Sequence, residues 1–328
     1  PPAPVADPLT HDGGLRIKKT PSQRSAIAST NETTNEPPPP HLSGAEPGLI
    51  QELEEAGYRV GSCLGHGGMA TVYLAVQKSL ERQVALKVHH QRESAERTRF
   101  AERFLQEARM AARVSHPNVA TIYDVGHTPS SVYMAMEYMS GGDLEQQLRR
   151  VERFHPLEAL HCLCDILRGL SALHDHGLIH RDIKTANCFI AKDSRITIGD
   201  LGIARDIDDH NHLTNPRSVV GTPAFMAPEQ TKPGAQLDGR CDIYAAGMVA
   251  FHCICGKVPF DGENSLTILR QVIDNPTPDI RDYHHKTDPR IAALLLRLMA
   301  RDPHQRPANA LEALEAVQEV IALLKPST

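Results

Sequence analysis

No stretch of this chain reaches the roughly 18 uninterrupted apolar residues that a membrane-spanning helix needs. The best candidate, Ile243 to Cys255, is too short and carries His252, so it reads as a buried central helix. No basic-then-apolar leader opens the sequence, so the mark of a secretory signal is missing. Excess positive charge is missing too. The formal net charge is -5, which gives no global polycation and no expectation of a nucleic-acid partner. Seven cysteines form an odd count without a framework spacing, which points to free thiols in a reducing compartment. The expected localisation is cytoplasmic, with an anchor outside this stretch left open. No internal repeat is visible.

Hydrophobic residues make up 41% of the 328, ample for one large domain or two small ones. Ten of the 24 prolines fall in residues 1 to about 50, including the run Pro37 to Pro40, with almost no apolar periodicity. Such a segment cannot offset its ordering entropy by burial. Residues 1–50 are therefore expected to be a disordered Pro/Ser/Thr-rich tail. It is either a solvated leader or a docking segment phosphorylated at Thr20, Thr33 or Thr34.

From Tyr58 the pattern turns to strand-like alternation. Strands are expected over 58–64, 71–76, 83–89, 119–125 and 132–138, with an amphipathic helix over 95–114 carrying Phe100, Phe104, Ala108 and Ala111 on one stripe. Ser115-His116-Pro117-Asn118 ends that helix, because the residue before proline disfavours helical φ/ψ. After Gly141-Gly142 helices dominate, over 144–151, 156–176, 239–255, 265–274, 289–300 and 308–324. A sheet followed by helices predicts an α+β protein with two lobes and a cleft between them.

Phosphate chemistry is written into that cleft. The segment His180-Arg181-Asp182-Ile183-Lys184-Thr185-Ala186-Asn187, with Asp200-Leu201-Gly202 beyond it, offers a base, a cation and two oxygen ligands. Phosphoryl transfer needs a positioned nucleophile and neutralised charge. Asp182 suits acceptance of a hydroxyl proton, Lys184 a γ-phosphate oxygen, and Asn187 with Asp200 a magnesium ion. Gly65-His66-Gly67-Gly68-Met69-Ala70-Thr71-Val72 is a glycine-rich turn linking strand to strand, whereas a dinucleotide-binding turn runs from strand into helix. By itself it is equally an ordinary hairpin. Lys87 in Val84-Ala85-Leu86-Lys87 is either an exposed strand lysine or a phosphate anchor. Glu107, twenty residues on, is either a solvated helix charge or the partner that orients Lys87.

The full set of motifs, in order over about residues 57 to 324, resembles the bacterial branch of eukaryotic-like (Hanks-type) serine/threonine protein kinases. That resemblance implies a bilobal kinase fold, with an N-lobe of about 57–138 built as a five-stranded antiparallel sheet with an αC-type helix. A hinge of about 137–142 and a mainly helical C-lobe of about 143–324 follow. It implies ATP with Mg2+ (or Mn2+) as cofactors, and protein hydroxyls as substrates.

Residue by residue, Lys87 resembles the ATP-anchoring lysine and Glu107 its helix partner. Leu64, Gly65, His66, Gly67 and Gly68 would cover the nucleotide, and Val72, Ala85 and Phe189 would sandwich adenine. Met136 resembles the gatekeeper, with Glu137 and Met139 offering hinge backbone groups. Asp182 resembles the catalytic base, and Asn187 and Asp200 the metal ligands. Lys184 with Thr222 resembles the Ser/Thr arrangement. Ala227-Pro228-Glu229 resembles the A-P-E motif, with Arg306 as the partner of Glu229, and Asp242 resembles the aspartate that props the catalytic loop. Arg181 beside Asp182 implies control by activation-loop phosphorylation, at Thr214 or Ser218, with Asp206, Asp208 and Asp209 as unphosphorylated alternatives. A homodimer for trans-autophosphorylation is an open alternative to a monomer.

Two departures stand out. Leu201 replaces the usual phenylalanine after Asp200, and Ala70 replaces the third glycine of the turn. The quartets His161-Cys162-Leu163-Cys164 and His252-Cys253-Ile254-Cys255 fall in expected helices. Residues two apart there point to different faces, which favours core packing over zinc. The stripe Ile291, Leu294, Leu295, Leu298 is expected in the core. Two rival functions are a pseudokinase binding module and a small-molecule kinase. The intact Lys87, Glu107, Asp182, Asn187 and Asp200 argue against the first, and the segment ending in Ala227-Pro228-Glu229 against the second.

Overall fold

The strand-like alternation from Tyr58 onward folds as an antiparallel meander of β1 (Tyr58–His66), β2 (Ala70–Gln77) and β3 (Arg82–His90). β5 (Ser131–Glu137) pairs with β3, and β4 (Ile122–His127) takes the edge, giving the order β1-β2-β3-β5-β4. The structure, a computed structural model, describes residues 47–67, 70–90, 96–201, 223–232 and 234–324.

Period-two alternation gives this sheet two apolar faces. Tyr73, Ala75, Val84, Leu86, Val88, Tyr133 and Ala135 are buried together on the outer one. Val72, Ala85, Lys87, Met134 and Met136 share the other, as the register pairs Val72 with Lys87, Lys87 with Met134, and Ala85 with Met136. α2 (Glu96–Ala111) packs beside β4 and β5, burying Phe104, Ala108 and Ala111 of the expected stripe.

The outer face is covered by a helix where a tail was expected. α1 (Pro47–Glu55) begins inside the segment assigned as disordered to about residue 50, and it buries Leu49 and Leu53 against Tyr58 and the sheet. Nine residues are too few for a stable helix alone. Only the uncovered sheet face makes this one, which is why local composition hid it.

The fourth expected strand also moves. It was placed over 119–125, but Val119 bridges Ile198 and Ala120 N donates to Ile198 O at 2.8 Å. Buried Asn118 adds a side-chain bond to Ile196 O at 2.7 Å. The first residues of that run are thus committed to β7 (Ile196–Ile198), which pairs with β6 (Cys188–Ile190). This short hairpin has no sequence-level counterpart among the expected strands, since three residues carry no periodicity.

The remaining helices are α3 (Leu144–Val151), α4 (Pro156–His174), α5 (Arg240–Cys255), α6 (Ser265–Asp274), α7 (Pro289–Leu298) and α8 (Ala310–Leu324). Asp143 caps α3, its carboxylate accepting from Gln146 N at 2.8 Å. His155 and Glu158 form a capping box on α4. α5 is buried along almost its whole length, as its apolar run requires, and Ile291, Leu294, Leu295 and Leu298 of α7 lie in the core. Gly141 sits where any side chain would strike Ile190 O, and Gly142 adopts φ +76°, so both hinge glycines are sterically required. No helix among the described residues is long and apolar enough to cross a membrane.

Candidate active site

The catalytic loop hangs from one buried carboxylate. Asp242 on α5 is 1% exposed, and it accepts His180 N and Arg181 N, each at 2.8 Å, and His174 Nε2 at 2.9 Å. Paired backbone donors are what a buried carboxylate requires. Fixing two consecutive amides lets Arg181 hold φ +62°, a left-handed conformation unusual for a residue with a side chain. His180 receives Asp182 N on Nδ1 at 3.3 Å and faces Gly199 O with Nε2 at 3.1 Å. A neutral ring protonated on Nε2 satisfies both bonds, tying the loop to the backbone just before Asp200.

That loop presents Asp182. Its Oδ2 accepts from Lys184 Nζ at 3.0 Å and Asn187 Nδ2 at 3.1 Å, while Asn187 Nδ2 also donates to Asp182 O at 2.7 Å. Such donors fix the orientation of the carboxylate, as a candidate proton acceptor requires. Because its amide nitrogen is spent on Asp182, Asn187 keeps Oδ1 as an acceptor. Asp200, at φ +59°, is engaged by Lys87 Nζ. Burial opposes ionisation of Asp200, but the Lys87 ammonium outweighs it, with Lys184 adding, so the carboxyl stays below its ordinary range. Asn187 Oδ1 and an anionic Asp200 are two hard oxygen donors, the small protein ligand set that magnesium takes alongside phosphates. Among the described residues no group of three or more His, Cys, Asp or Glu is placed to hold a metal. The quartet thiols Cys162, Cys164 and Cys253 are buried.

Lys87 and Glu107 are not joined. Lys87 meets Asp200 instead, and Glu107 makes no hydrogen bond with it. Burial raises the Glu107 carboxyl, and Arg181 and Arg103 are the charges that pull it back down. The expected pairing of Lys87 with Glu107 is therefore not what the structure has. Sequence spacing fixes which turn of α2 carries Glu107, but not how α2 is rotated or seated.

On the cleft face of the sheet, Val72, Ala85 and Met136 come together with Lys87. Phe189, on β6, lies beside Gly199, its ring close enough that a side chain at Gly199 would meet it at 3.0 Å. Met136 is 7% exposed. Of the hinge residues, Glu137 N is occupied by Thr121 O at 2.8 Å, whereas Met139 has no backbone bond among the described residues. Leu64, Gly65, His66 and Gly67 are exposed at the turn, with His66 Nδ1 bonded to Thr71 Oγ1 at 3.0 Å. Gly68, Thr214, Ser218 and Thr222 lie outside the described residues.

Glu229 and Arg306 meet as expected, through Nη1–Oε1 at 2.6 Å and Nη2–Oε2 at 2.8 Å. The neighbouring Gln230 was not anticipated. Its Nε2 donates to Arg181 O at 3.1 Å, and its Oε1 accepts Ala227 N at 2.9 Å. A polar residue directly after the A-P-E triplet was the only available signal.

The family described as "Protein kinase domain" matches residues 58–319. Serine/threonine-protein kinase PrkC of Bacillus subtilis is 34% identical over 268 residues, which cover 82% of this chain and 41% of that protein. Serine/threonine-protein kinase PknB of Mycolicibacterium smegmatis is 35% identical over 261 residues, covering 78% and 41%. Serine/threonine-protein kinase pkn3 of Myxococcus xanthus is 35% identical over 275 residues, covering 80% and 50%. The chain thus spans about two-fifths to one-half of the length of these curated relatives.

Proposed function

The chain belongs to the protein kinase domain family, and from that premise we propose that it transfers the γ-phosphoryl group of ATP to serine and threonine hydroxyls of proteins. The observation that carries this reading is the Asp182 carboxylate, held by Lys184 and Asn187 on a loop suspended from Asp242. Asp182 accepts the proton of the attacking hydroxyl. Lys184, 3.0 Å from Asp182 Oδ2, is placed to shift to the transferred phosphoryl oxygens as that proton leaves. Val72, Ala85 and Phe189 would sandwich adenine, with Met139 backbone groups available to its edge. Asn187 and Asp200 would hold Mg2+, which when bound would supply neutralisation of phosphate charge. The kinase unit is proposed to run from about 57 to 324, preceded by a tail and α1.

Control belongs to the same reading. With Lys87 on Asp200 and Glu107 in the field of Arg181, the arrangement is an off state. Phosphate on Thr214 or Ser218 gives Arg181 a stronger anionic partner than Glu107. Glu107 is then free to reach Lys87, and Asp200 to turn to the metal. A second copy of the chain is a fitting donor for that phosphorylation.

The experiment is phosphate incorporation from labelled ATP with magnesium, for wild type and Asp182→Asn, followed by mapping of the sites. Incorporation that vanishes in the variant, with Thr214 or Ser218 among the sites, is the expected result. No incorporation by wild type into itself or a generic protein substrate would overturn it.

A further inference from the structure

α1 depends on its neighbours, and three attachments are described. Leu49 and Leu53 pack on the outer sheet face. Lys78 Nζ donates to Glu54 O at 2.9 Å, closing its C-terminal end. Glu52 Oε2 accepts both the backbone N–H and the hydroxyl of Ser130, at 3.1 and 2.7 Å. Ser130 is exposed at the tip of the β4–β5 hairpin. That turn is pinned without α1, by Thr128 N to Ser131 O at 2.7 Å and by the two hydroxyls of Thr128 and Ser131 at 2.9 Å. A rigid turn therefore offers an exposed hydroxyl to a single carboxylate.

What lies beneath α1 leads to the nucleotide turn. β1 runs straight into Gly65, yet its pairing with β2 is irregular between Val60 and Cys63 and again between Cys63 and Gly65. Its firm end is Tyr58, which is buried with Leu49 and Leu53 and donates to Asp124 Oδ2 at 2.6 Å. Loss of α1 uncovers that firm end, leaving the turn on a strand with an interrupted ladder.

We propose that Ser130 is a phosphorylation site, and that the Glu52–Ser130 contact is a latch which phosphoryl transfer opens. In the step, Ser130 Oγ bonds to the γ-phosphorus of a nucleoside triphosphate. The bond from that phosphorus to the β-phosphate oxygen breaks, the diphosphate leaves, and the hydroxyl proton is released. The product carries nearly two negative charges at neutral pH and has no hydroxyl left to donate. Glu52 then faces like charge where it had a donor, α1 detaches, and the nucleotide turn loosens. This goes beyond the kinase reading above, because the phosphoryl donor enzyme is either this chain or another Ser/Thr kinase.

The test has two arms. In the first, hydrogen exchange over residues 47–66 and MgATP affinity are measured for wild type, Ser130→Ala, Ser130→Asp, and Ser130→Asp combined with Glu52→Gln. Ser130→Asp is expected to speed exchange at least tenfold over 47–56 and to weaken MgATP binding several-fold. Ser130→Ala should stay near wild type, and Glu52→Gln should restore protection, which a general loss of fold would not do. Equal protection in wild type and Ser130→Asp, or no rescue, overturns the latch. In the second arm, full-length wild type and Asp182→Asn are incubated with MgATP, alone and with a broad-specificity Ser/Thr kinase, and Ser130 is mapped. Phosphate in wild type alone assigns the chain itself as donor. Phosphate only when the second kinase is present assigns an external donor. An unmodified Ser130 throughout overturns the site.

Discussion

Arg306 and Glu229 form a two-bond ion pair, at 2.6 and 2.8 Å, in which the guanidinium side chain has no exposed surface. The same guanidinium donates through Nε to Ala300 O at 2.7 Å and through Nη1 to Arg240 O at 2.9 Å, and it lies 4.9 Å over the Tyr244 ring. It joins the turn Pro228–Thr231 to α5 and to the turn after α7. Removing one partner of a buried pair strands the other charge, at a cost of about 3–5 kcal/mol. Arg306→Ala is expected to lower stability by that amount in urea denaturation. A loss below about 1 kcal/mol, the scale of a surface pair, would show that the bridge is not a structural keystone.

Two histidines are expected to contribute to the acid limb of stability. Burial lowers His116, with Arg168 and Arg195 adding, and burial lowers His252 against the pull of Glu145. Both are depressed relative to an unfolded value near 6.5. The unfolded chain therefore takes up their protons first as pH falls. Their contribution is complete above about pH 6.5 and is lost below it, through the depressed folded values. Unfolding free energy should decline from pH 7 to 5, and His116→Asn should flatten part of that slope. A slope unchanged in the variant would remove His116 from the account.

Thiol reactivity should be confined to one position in the native state. Cys63 is exposed, whereas Cys162, Cys164, Cys188, Cys241 and Cys253 are buried and Cys255 is half-buried. Burial pushes Cys164 and Cys255 up to about 12 and raises Cys162, Cys188, Cys241 and Cys253 as well. Only a thiolate is an effective nucleophile. Brief alkylation at neutral pH should give one adduct, on Cys63, and all seven cysteines should react in denaturant. Early labelling of Cys162 or Cys253 would mean that the C-lobe core opens readily.

Thr185 holds a buried hydroxyl with no hydrogen-bond partner among the described residues. It opens a short 3-10 turn after Lys184, whose extended backbone (φ -158°, ψ 166°) suits a following proline. The N–H at the start of a helical turn has no partner within that turn to lose. Thr185→Pro is expected to stabilise the protein by roughly 0.5–1 kcal/mol through unfolded-state entropy, with relief of the stranded hydroxyl added. The measurement is the urea midpoint, and a lower midpoint would contradict this account.

Much of the site could be read along the chain because its parts are local. Asp182, Lys184 and Asn187 lie within six residues, so their spacing already put them side by side, although their shared bonding to the Asp182 carboxylate was seen only in the structure. The helix starts expected at 144 and 156 match the structure, where Asp143 and His155 cap them. α1 was not, because Leu49 and Leu53 become a helix only against a sheet face formed by residues 73 to 135. The boundary of β4 was missed for a similar reason, as Asn118 and Ala120 bond to β7 far along the chain.

The sequence by itself determined which chemical groups the cleft holds, and roughly where each strand and helix lies, because these follow from short-range periodicity, steric limits and fixed spacing. Only the tertiary structure decided their partners. Lys87 faces a choice between Asp200 and Glu107, two carboxylates carried by different elements, and the seating of α2 relative to the sheet selects Asp200. That seating is the sum of many weak packing contacts spread over both lobes, a quantity that no local pattern encodes.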